Sequence, residues 1–414
     1  MQWLYLLIIS AYGWTIRLAA LFNQKAKDWI IGRRGWEEKL RSSLSSKSQK
    51  RIWFHCPSLG EFEQGRPVLE QIRRQYPDHC IVLTFFSPSG YNVRKNEPLA
   101  DIVMYMPLDG PVRSRKFVQL VQPQLVFFVK YDFWYYYGKV LHASKIPFFC
   151  VSAIFRPSQL FFKPYGKFFR KILTRYTHIF VQDQSSLELL YKSAIPAVTV
   201  SGDTRFDRVL ENVQRRSDEL NIIAQFAEGG DVLVAGSTWK EDEKLLADFL
   251  RAQPSLKLII APHELNEDKL AQLKQRFFGK AVRYTQVASE GFNGKQVLII
   301  DTIGMLSLIY RYGKYTYVGG GFGRGIHNVL EAAVYGKPVF FGPNYKKFRE
   351  ARDLKAMGCG IVVKNSQELT HVFNELQMAD ELYKSLASKS RKYIEDRKGA
   401  TEILMNFLRM NYPA

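Results

Sequence analysis

Residues 317–343 read YVGGGFGRGIHNVLEAAVYGKPVFFGP, and this stretch decides the fold of the chain. The apolar run KYTYV predicts a buried strand, glycines follow it, and residues 327–333 predict a helix that ends before a second strand, PVFFG. Strand, glycine loop, helix and strand form one βαβ unit. Glycines at the junction let backbone N–H groups approach a ligand closely, and the helix N-terminus after them suits a phosphate.

Glu331 lies near the start of this predicted helix, close enough to reach the sugar of a bound nucleotide. A carboxylate accepts hydrogen bonds from two hydroxyl groups at once, which is the usual role of an acidic residue in such sites. The alternative is that the glycines only form a tight turn and that Glu331 complements the helix dipole. The residues alone give these two interpretations about equal weight.

The composition fits a two-domain protein with an anionic partner. The chain has 414 residues with a hydrophobic content of 46%, which is too long for one ordinary core. Its net charge of +20 implies nucleic acid, a membrane surface or a phosphorylated substrate as partner. The four cysteines are far apart and lack metal-ligand spacing, so we expect buried free thiols in a reducing compartment and no metal.

The N-terminal stretch, MQWLYLLIISAYGWTIRLAALF, is almost wholly apolar. It lacks the basic start and the cleavage site of a secretory signal peptide. Residues 25–51 follow with nine basic residues against three acidic ones. We therefore predict that residues 1–44 anchor the chain at an anionic cytoplasmic leaflet, through a helix that either spans the membrane or lies on it. The alternative is a first helix that packs on the surface of its own domain.

Short apolar runs alternate with predicted helices along the rest of the chain. RIWFHC, CIVLTFF and HIFVQD predict strands of a first domain, and DVLVAGST and KQVLIID predict strands of a second. This alternation is typical of parallel, doubly wound sheets, so the predicted fold class is α/β with two Rossmann-like domains facing a cleft. We place the two domains at residues 45–207 and 208–414, with charged, helix-like residues 208–231 directly after the boundary.

Glu61 is the candidate catalytic residue of the first domain. In parallel α/β sheets ligands bind at the carboxyl ends of the strands, and Glu61 follows the strand RIWFHC directly. Gly60 permits a tight turn that would aim the carboxylate toward the cleft, where an ionised carboxylate beside an acceptor hydroxyl is a general base. The alternative is a glutamate that only complements the helix dipole. Glu63 is the weaker substitute for the base.

Further polar residues follow other predicted strands. Asp132 is either a contact for sugar hydroxyls or a solvated loop carboxylate. Ser237 and Thr238 either hold a phosphate or a sugar carboxylate, or cap the next helix. Arg205 either places positive charge near an anionic ligand or is a surface cation. His327 has no metal-ligand spacing with another histidine, so we interpret it as a hydrogen-bonding residue at the helix start.

Residues 156–176, RPSQLFFKPYGKFFRKILTRY, combine six basic residues with interleaved aromatic ones and contain no acidic residue. This pattern suits single-stranded nucleic acid or a lipid surface that bears phosphates. A third interpretation is a core-packed helix with a solvated basic face. The apolar N-terminal stretch favours the lipid surface.

The motifs resemble those of GT-B glycosyltransferases, and most closely those of the bacterial Kdo (3-deoxy-D-manno-octulosonic acid) transferases. Residues 317–343 carry a similar Gly-Gly, Gly-His-Asn, Leu-Glu, Gly-Lys-Pro-Val and Gly-Pro series. Residues 58–61 match the family's Ser-x-Gly-Glu, residues 235–238 match its Ala-Gly-Ser-Thr, and residues 202–207 are similar to its Gly-Asn-x-Lys-Phe-Asp. The resemblance covers nearly the whole chain.

The chain departs from the family pattern at three places. The family has Pro-Arg-His-Pro where residues 262–264 are Pro-His-Glu, so the arginine that would meet a phosphate is missing, and His263 or Arg324 would replace it. Met305 stands where the family has the glutamate of Asp-Thr-x-Gly-Glu-Leu. Lys130 stands where it has the first glutamate of Glu-Thr-Glu-Leu-Trp-Pro.

The resemblance implies an inverting glycosyltransferase of lipopolysaccharide biosynthesis that moves Kdo from CMP-Kdo to lipid IVA, the lipid A precursor, at the cytoplasmic face of the inner membrane. It implies Glu61 as general base, no metal and no other cofactor, acceptor binding by residues 45–207 and donor binding by residues 208–414. It also implies that the last helix, residues 400–410, returns to the first domain.

Two alternatives remain beside this function. One is a UDP-sugar-dependent transferase or epimerase of the same fold. The other is a membrane-associated nucleic-acid-binding protein, although no RNP-like, KH or helix-turn-helix pattern supports it and we predict no nucleic-acid partner.

Resemblance and residue patterns together assign two sets of binding residues. The predicted donor-binding residues are Arg205, Ser237, Thr238, His263, Gly319, Gly320, Gly321, His327, Asn328 and Glu331. The predicted acceptor-binding residues are Ser58, Gly60, Asp132, Arg156, Lys163 and Lys167.

Overall fold

The computed structural model describes residues 1–45, 47, 49–214 and 220–413. The chain forms two compact units, of which the first comprises Met1–Arg208 and Lys398–Ala414 and the second Val209–Arg397. Each unit contains one seven-stranded sheet in which the paired strands are parallel. This confirms the predicted α/β class with two parallel sheets. Part of the helix-like stretch predicted at 208–231, residues 215–219, lies outside the described residues.

Three helices precede the first sheet: α1 Gln2–Ala19, α2 Gln24–Arg33 and α3 Trp36–Leu44. Within the described residues, no helix is both long and apolar enough to cross a membrane. One face of α1 packs on the first unit, because the Tyr5 hydroxyl donates to Asp109 Oδ2 at 2.7 Å and Gln2 Nε2 donates to the Tyr135 hydroxyl at 2.7 Å. The opposite face exposes large apolar side chains, among them Trp3 and Leu7.

The first sheet has the strand order β3-β2-β1-β4-β5-β6-β7. Its strands are β1 Arg51–Cys56, β2 Cys80–Phe85, β3 Ile102–Tyr105, β4 Pro123–Val129, β5 Phe148–Ala153, β6 His178–Val181 and β7 Val198–Val200. The helices between and after them are α4 Leu59–Gln75, α5 Pro88–Arg94, α6 Pro111–Val121, α7 Tyr135–Ala143, α8 Lys167–Leu173, α9 Gln184–Lys192 and α10 Thr204–Gln214. All residues of β2 and β5 are buried, as expected for strands covered by helices on both faces.

The second sheet has the strand order β10-β11-β9-β8-β12-β13-β14. Its strands are β8 Val232–Thr238, β9 Lys257–Pro262, β10 Ala281–Arg283, β11 Val297–Ile299, β12 Tyr315–Val318, β13 Val339–Phe341 and β14 Gly360–Val362. The helices of this unit are α11 Asn221–Ala227, α12 Lys240–Arg251, α13 Glu267–Arg276, α14 Val287–Glu290, α15 Leu306–Ile309, α16 Leu330–Ala333, α17 Arg349–Ala356, α18 Ser366–Met378 and α19 Asp380–Glu395.

The last helix, α20 Ala400–Asn411, belongs to the first unit. Its residues Leu404, Met405 and Leu408 are buried in the same apolar cluster as the strand residues of the first sheet. The carboxylate of Asp207 accepts hydrogen bonds from the backbone N–H groups of Gly399 at 2.6 Å and Thr401 at 2.7 Å. These bonds satisfy N–H groups that the first turn of a helix leaves without partners.

The helix predicted at residues 327–333 is wrong at its start, because α16 begins only at Leu330. Two contacts explain the delay. The His327 N–H donates to Gly319 O at 3.1 Å, which holds this part of the chain in the glycine loop. The Asn328 side chain then accepts from the Leu330 N–H at 3.2 Å, which favours a turn over a helix at this position. Glu331 therefore lies in the first turn of a four-residue helix.

The four cysteines, Cys56, Cys80, Cys150 and Cys359, are buried and free, as the sequence predicts.

Candidate active site

The order of the first sheet reverses between β1 and β4, and ligands of open α/β sheets bind beside such a point. Glu61 lies in the first turn of α4, which follows β1. Asp132 lies in the loop that follows β4. The topology thus places both predicted carboxylates at the switch point of the first sheet.

Glu61 and Glu63 differ in their partners although they share one helix. The Ser58 hydroxyl donates a short hydrogen bond to Glu61 Oε2. Glu63 instead accepts from Arg94 at 2.5 Å through Oε1 and from Arg208 at 3.2 Å through Oε2. Because two arginines engage Glu63, Glu61 is the better placed of the two carboxylates to accept a proton from a ligand.

Asp132 is held by a chain of hydrogen bonds that leads into the first sheet. His55 Nε2 lies 2.8 Å from Asp132 Oδ2, and His55 Nδ1 lies 2.8 Å from the Thr84 hydroxyl. The Trp53 indole N–H donates to the same hydroxyl at 2.8 Å. A neutral His55 with its proton on Nε2 satisfies every group, because Thr84 then donates to Nδ1. The chain fixes the orientation of the Asp132 carboxylate, whose side chain is 17% exposed.

Arg205 also lies in the first unit. Its guanidinium donates to Asp203 Oδ2 from Nε at 2.9 Å and from a terminal nitrogen at 2.7 Å. Gln64 Nε2 donates to Asp203 Oδ1 at 2.8 Å. Burial would raise the pKa of Asp203, but the charge and hydrogen bonds of Arg205 lower it below its usual value. The predicted donor-binding arginine is thus ion-paired in the same unit as Glu61.

Several of these charged side chains influence the phenol of Tyr131. Burial raises the pKa of its phenol, Arg156 and Arg205 lower it, and Glu61 and Asp203 raise it. Arg156 and Glu61 thus act on the same phenol, and Tyr131 directly precedes Asp132 in the loop after β4.

Residues 156–176 contain two short 3₁₀ turns and α8. Arg170 donates to the carbonyl oxygens of Phe161 and Lys163, and Arg175 donates to that of Tyr135. The hydrogen bonds of these two arginines stabilise the conformation of the segment. The other four basic residues of the segment are Arg156, Lys163, Lys167 and Lys171. Among the described residues, we find no ion pair for their side chains.

The order of the second sheet reverses between β8 and β12, and the second group of predicted residues lies there. The pairing of β8 with β9 is interrupted between Gly236 and Thr238, so that Ser237 is a bulge residue with a left-handed φ of 52°. Thr238 is buried, and its hydroxyl has no hydrogen-bond partner among the described residues. This hydroxyl can therefore form a hydrogen bond with a ligand that reaches the strand end.

The glycine loop after β12 is fixed from within the unit. The Gly319 N–H donates to Gly236 O at 2.9 Å, and the Gly320 N–H donates to Asp242 Oδ2 at 2.8 Å. A Cβ on Gly319 would lie 2.4 Å from Ser237 O, and one on Gly321 would lie 2.6 Å from the backbone of Gly342. Close backbone packing therefore requires glycine at these two positions, whatever ligand the loop contacts.

Asp242 is the centre of this arrangement, and the sequence analysis did not single it out. Beside Gly320, it accepts from the Trp239 N–H at 2.9 Å and from the Tyr317 hydroxyl at 2.7 Å. Burial raises the pKa of Asp242, although the hydrogen bonds donated to it act in the opposite direction. The carboxylate joins the start of α12 to the glycine loop.

His263 and His327 form a stack with Trp239. The His263 ring lies 4.6 Å from that of Trp239 and 4.5 Å from that of His327 between centroids. The Trp239 indole N–H donates to His327 Nε2 at 3.1 Å, so the proton of a neutral His327 resides on Nδ1. Burial, and then the nearby His263, lower the pKa of His327 to about 4.

Asn328 and Glu331 are hydrogen-bonded to each other. Asn328 Nδ2 donates to Glu331 Oε1 at 3.0 Å, which orients the carboxylate that the sequence assigns to a ribose.

Sequence reasoning missed His55, Trp239 and Asp242. His55 could have been found as a lone polar residue in the buried strand RIWFHC. Trp239 directly follows the Gly-Ser-Thr motif, and Asp242 occupies the third position of the next helix, where an acidic residue caps a helix start.

The fold is that of the GT-B-like proteins. The UDP-GlcNAc 2-epimerase from Neisseria meningitidis, solved bound to UDP-GlcNAc, matches it with a TM-score of 0.60 over 87% of this chain and 100% of that chain, at 16% sequence identity. At this identity the likeness shows the fold alone.

The sequence comparisons are more specific. Residues 34–208 match the family model of the 3-deoxy-D-manno-octulosonic-acid transferases (kdotransferases). The 3-deoxy-D-manno-octulosonic acid transferase of Aquifex aeolicus is 29% identical over 337 residues, covering 78% of this chain and 85% of the relative. That of Haemophilus influenzae is 25% identical over 374 residues, covering 86% of both. Residues 34–208 thus match the domain of the Kdo transferase family, and the chain is similar to Kdo transferases over most of its length.

Proposed function

We propose that this protein transfers Kdo from CMP-Kdo to lipid IVA with inversion, in lipopolysaccharide biosynthesis. The observation that carries the proposal is the position of Glu61 at the switch point of the first sheet, with Ser58 as its hydrogen-bond donor. The similarity to Kdo transferases supports the transferred sugar. The resemblance of the motifs in both sheets supports the donor and the acceptor.

Glu61 acts as the general base in this mechanism. Its carboxylate takes the proton of an acceptor hydroxyl while the oxygen of that hydroxyl forms a bond to the anomeric carbon of Kdo. The bond between that carbon and the CMP phosphate breaks, and CMP leaves with the bonding electron pair. The transition state has oxocarbenium character, by analogy with glycoside hydrolysis. Asp132, fixed by His55, accepts a hydrogen bond from a sugar hydroxyl.

The second unit binds the donor. Ser237 and the unpartnered hydroxyl of Thr238 donate to phosphate or to the Kdo carboxylate. His263, which stands where the family has Arg-His, donates to the same anion. Glu331 holds the ribose hydroxyls in the orientation that Asn328 imposes. Residues 45–207, to which α20 returns, are then the acceptor-binding domain, and the second unit, Val209–Arg397, is the donor-binding domain.

The protein acts at the cytoplasmic face of the inner membrane in this proposal. The outward face of α1 exposes Trp3 by 81% and Leu7 by 66%, while its inward face is tied to Asp109. Large exposed apolar patches mark interaction surfaces, and the basic residues after α1 favour anionic headgroups. Sedimentation with vesicles tests this part. We expect binding to vesicles with anionic lipid and at least fivefold weaker binding by Leu7→Glu; equal binding by both proteins would refute it.

Incubation of the purified protein with CMP-Kdo and lipid IVA tests the function. We expect a product whose mass exceeds that of the acceptor by one or more Kdo residues, and release of CMP. UDP-sugars serve as the control for the alternative donor class. Transfer from a UDP-sugar, or no mass increase in a preparation that still binds CMP, would contradict the proposal.

A further inference from the structure

A groove of about 520 Å³ lies beside Asp132 in the first unit, between residues 131–134 on one side and residues 158–161 with Phe169 on the other. We name it the aromatic groove. Phe133 and Phe161 meet in it edge to face, with ring centroids 5.2 Å apart. Leu160 lines it with 47% of its surface exposed. Apolar side chains that remain open to water in a concave site gain free energy when an apolar ligand covers them.

One end of the aromatic groove carries the polar residues of the candidate active site. Asp132 lines the groove and is hydrogen-bonded to His55 at 2.8 Å. Tyr131 also lines the groove, and the charges of Arg156 and Glu61 shift the pKa of its phenol in opposite directions. A ligand in this groove therefore has its polar, hydroxyl-bearing part at this end.

The walls of the groove continue into the apolar surface of α1. Phe133 and Phe169 pack against the cluster of Tyr135, Tyr136 and Ile172, and Tyr5 and Leu6 of α1 pack against the same cluster. The chain thus offers continuous apolar packing from the groove to the helix that exposes large apolar side chains on its outer face.

The surroundings of the groove are positively charged. Arg156, Lys163 and Lys167 belong to the segment that forms one wall, and within the described residues we find no ion pair for their side chains. Trp134 lines the groove with a buried indole N–H that has no hydrogen-bond acceptor among the described residues. The carbonyl oxygen of an acyl ester or amide is a group that can accept from it.

We propose that the aromatic groove binds one acyl chain of the lipid acceptor, so that the chain contributes to acceptor recognition beside the sugar. This inference rests on the proposed transfer to a lipid-linked sugar. The apolar walls select a hydrocarbon chain. The cations, for which no ion pair is found among the described residues, select an anionic amphiphile, and the polar end places the sugar of that amphiphile beside Asp132.

Leu160→Glu tests the inference, with Tyr165→Glu as the matched control. Both positions are exposed, by 47% and 68%, and both lie in the same segment, but only Leu160 lines the groove. Transfer is measured for the wild type and both variants with lipid IVA and with the same disaccharide phosphate after removal of its acyl chains. Leu160→Glu should raise the KM for lipid IVA by about tenfold or more and leave kcat/KM for the deacylated acceptor unchanged. Tyr165→Glu should match the wild type with both acceptors.

A binding experiment separates failure of this inference from failure of the proposed function. The probe is dodecyl phosphate with a photoreactive diazirine at the end of its chain, and the cross-linked peptides are found by mass spectrometry. Label on residues 158–169 of the wild type and of Tyr165→Glu, but not of Leu160→Glu, supports an acyl-binding groove even when no transfer is detected.

Two outcomes overturn the proposal. The first is an equal KM for lipid IVA in the wild type and Leu160→Glu, even when the probe labels the groove, because the groove then holds an alkyl chain other than that of the acceptor. The second is label that lies only outside residues 158–169.

Discussion

The two sheets carry different chemistry at corresponding places. At the switch point of the first sheet stand charged side chains, Glu61 and Asp132, each with hydrogen bonds from one neighbouring side chain. At the switch point of the second sheet lie glycine backbone, small hydroxyl residues and stacked rings. The acidic residue there, Asp242, is buried and accepts hydrogen bonds from three donors. In the proposed function, one topology thus serves side-chain acid–base chemistry in one unit and the binding of a ligand by backbone and neutral groups in the other.

The two aspartates show what decides this difference. Asp132 has a partly exposed carboxylate with one histidine partner, so it can accept a further hydrogen bond. Asp242 has only 1% of its surface exposed and fixes the glycine loop, so its role is structural. The two aspartates thus differ in the number of hydrogen bonds that they already accept. This number, and not the residue type, decides whether a carboxylate is able to bind a ligand or only positions neighbouring groups.

The largest expected effect concerns the base of the first unit. Glu61→Gln should lower kcat by about 10²–10⁴-fold with little change in the KM of the acceptor, because the amide cannot take up a proton. Glu63→Gln is the control, and it should stay within about threefold of the wild type and lose at most about 1 kcal/mol of unfolding free energy. Steady-state transfer rates and urea unfolding measure these effects. If the kcat of Glu61→Gln lies within tenfold of that of the wild type, Glu61 does not act as the base at the switch point of the first sheet.

Asp242→Asn probes the second unit. The amide cannot accept from three donors as the carboxylate does, so the affinity for CMP should fall about tenfold and the free energy of unfolding by about 1–3 kcal/mol. Titration calorimetry and denaturation measure the two quantities. Glu241→Gln, one residue earlier on the exposed face of α12, should change neither. If Asp242→Asn is less stable but binds CMP as tightly as the wild type, the glycine loop does not contribute to donor binding.

Ser58→Ala sharpens the assignment of Glu61. Ser58 is the N-cap of α4, yet its hydroxyl makes no capping bond and donates to Glu61 instead. Loss of this bond should lower kcat about three- to tenfold without lowering helix content. Ser58→Thr should restore most of the activity, because it keeps the hydroxyl. A loss of thermal stability equal in Ser58→Ala and Ser58→Thr would point to packing and not to the hydrogen bond.

The last prediction concerns stability and not catalysis: the pH dependence of the unfolding free energy due to His327. Because its pKa is lowered to about 4 in the folded protein, His327 is neutral at pH 7, and the unfolded chain binds its proton first as pH falls below about 6.5. Stability from this group is therefore complete above about pH 6.5 and declines as pH falls toward 4. His327→Asn should flatten the pH dependence of the unfolding free energy in this window. His371→Asn, at an exposed site in α18, should retain it.

The strands of both sheets were predictable because buried parallel strands are uninterrupted apolar runs. RIWFHC coincides with β1, CIVLTFF contains β2, and DVLVAGST contains β8. β10 was missed, because three residues at a sheet edge carry too little periodicity to be recognised. The late start of α16 was missed because it depends on hydrogen bonds accepted by Gly319 O and Asn328 Oδ1, which no residue pattern specifies.

The candidate site was predictable only in part. Motif resemblance pointed to Glu61, His327 and Glu331, and whether these residues act as assigned stays a prediction. The partners of these side chains follow from strand order, which brings together residues that are distant in sequence, such as His55 and Asp132. The ion pairs of Glu63 with Arg94 and Arg208 are likewise products of tertiary packing, whereas Arg205 pairs locally with Asp203, two residues away.

The placement of α20 bears on how the polypeptide is made. Leu404, Met405 and Leu408 complete the apolar core of the first unit, although they follow the whole second unit in the sequence. The second unit, Val209–Arg397, is fully synthesised before them. During translation the second unit can therefore reach its native state first, while the first unit waits for its closing helix with apolar surface still open to chaperones.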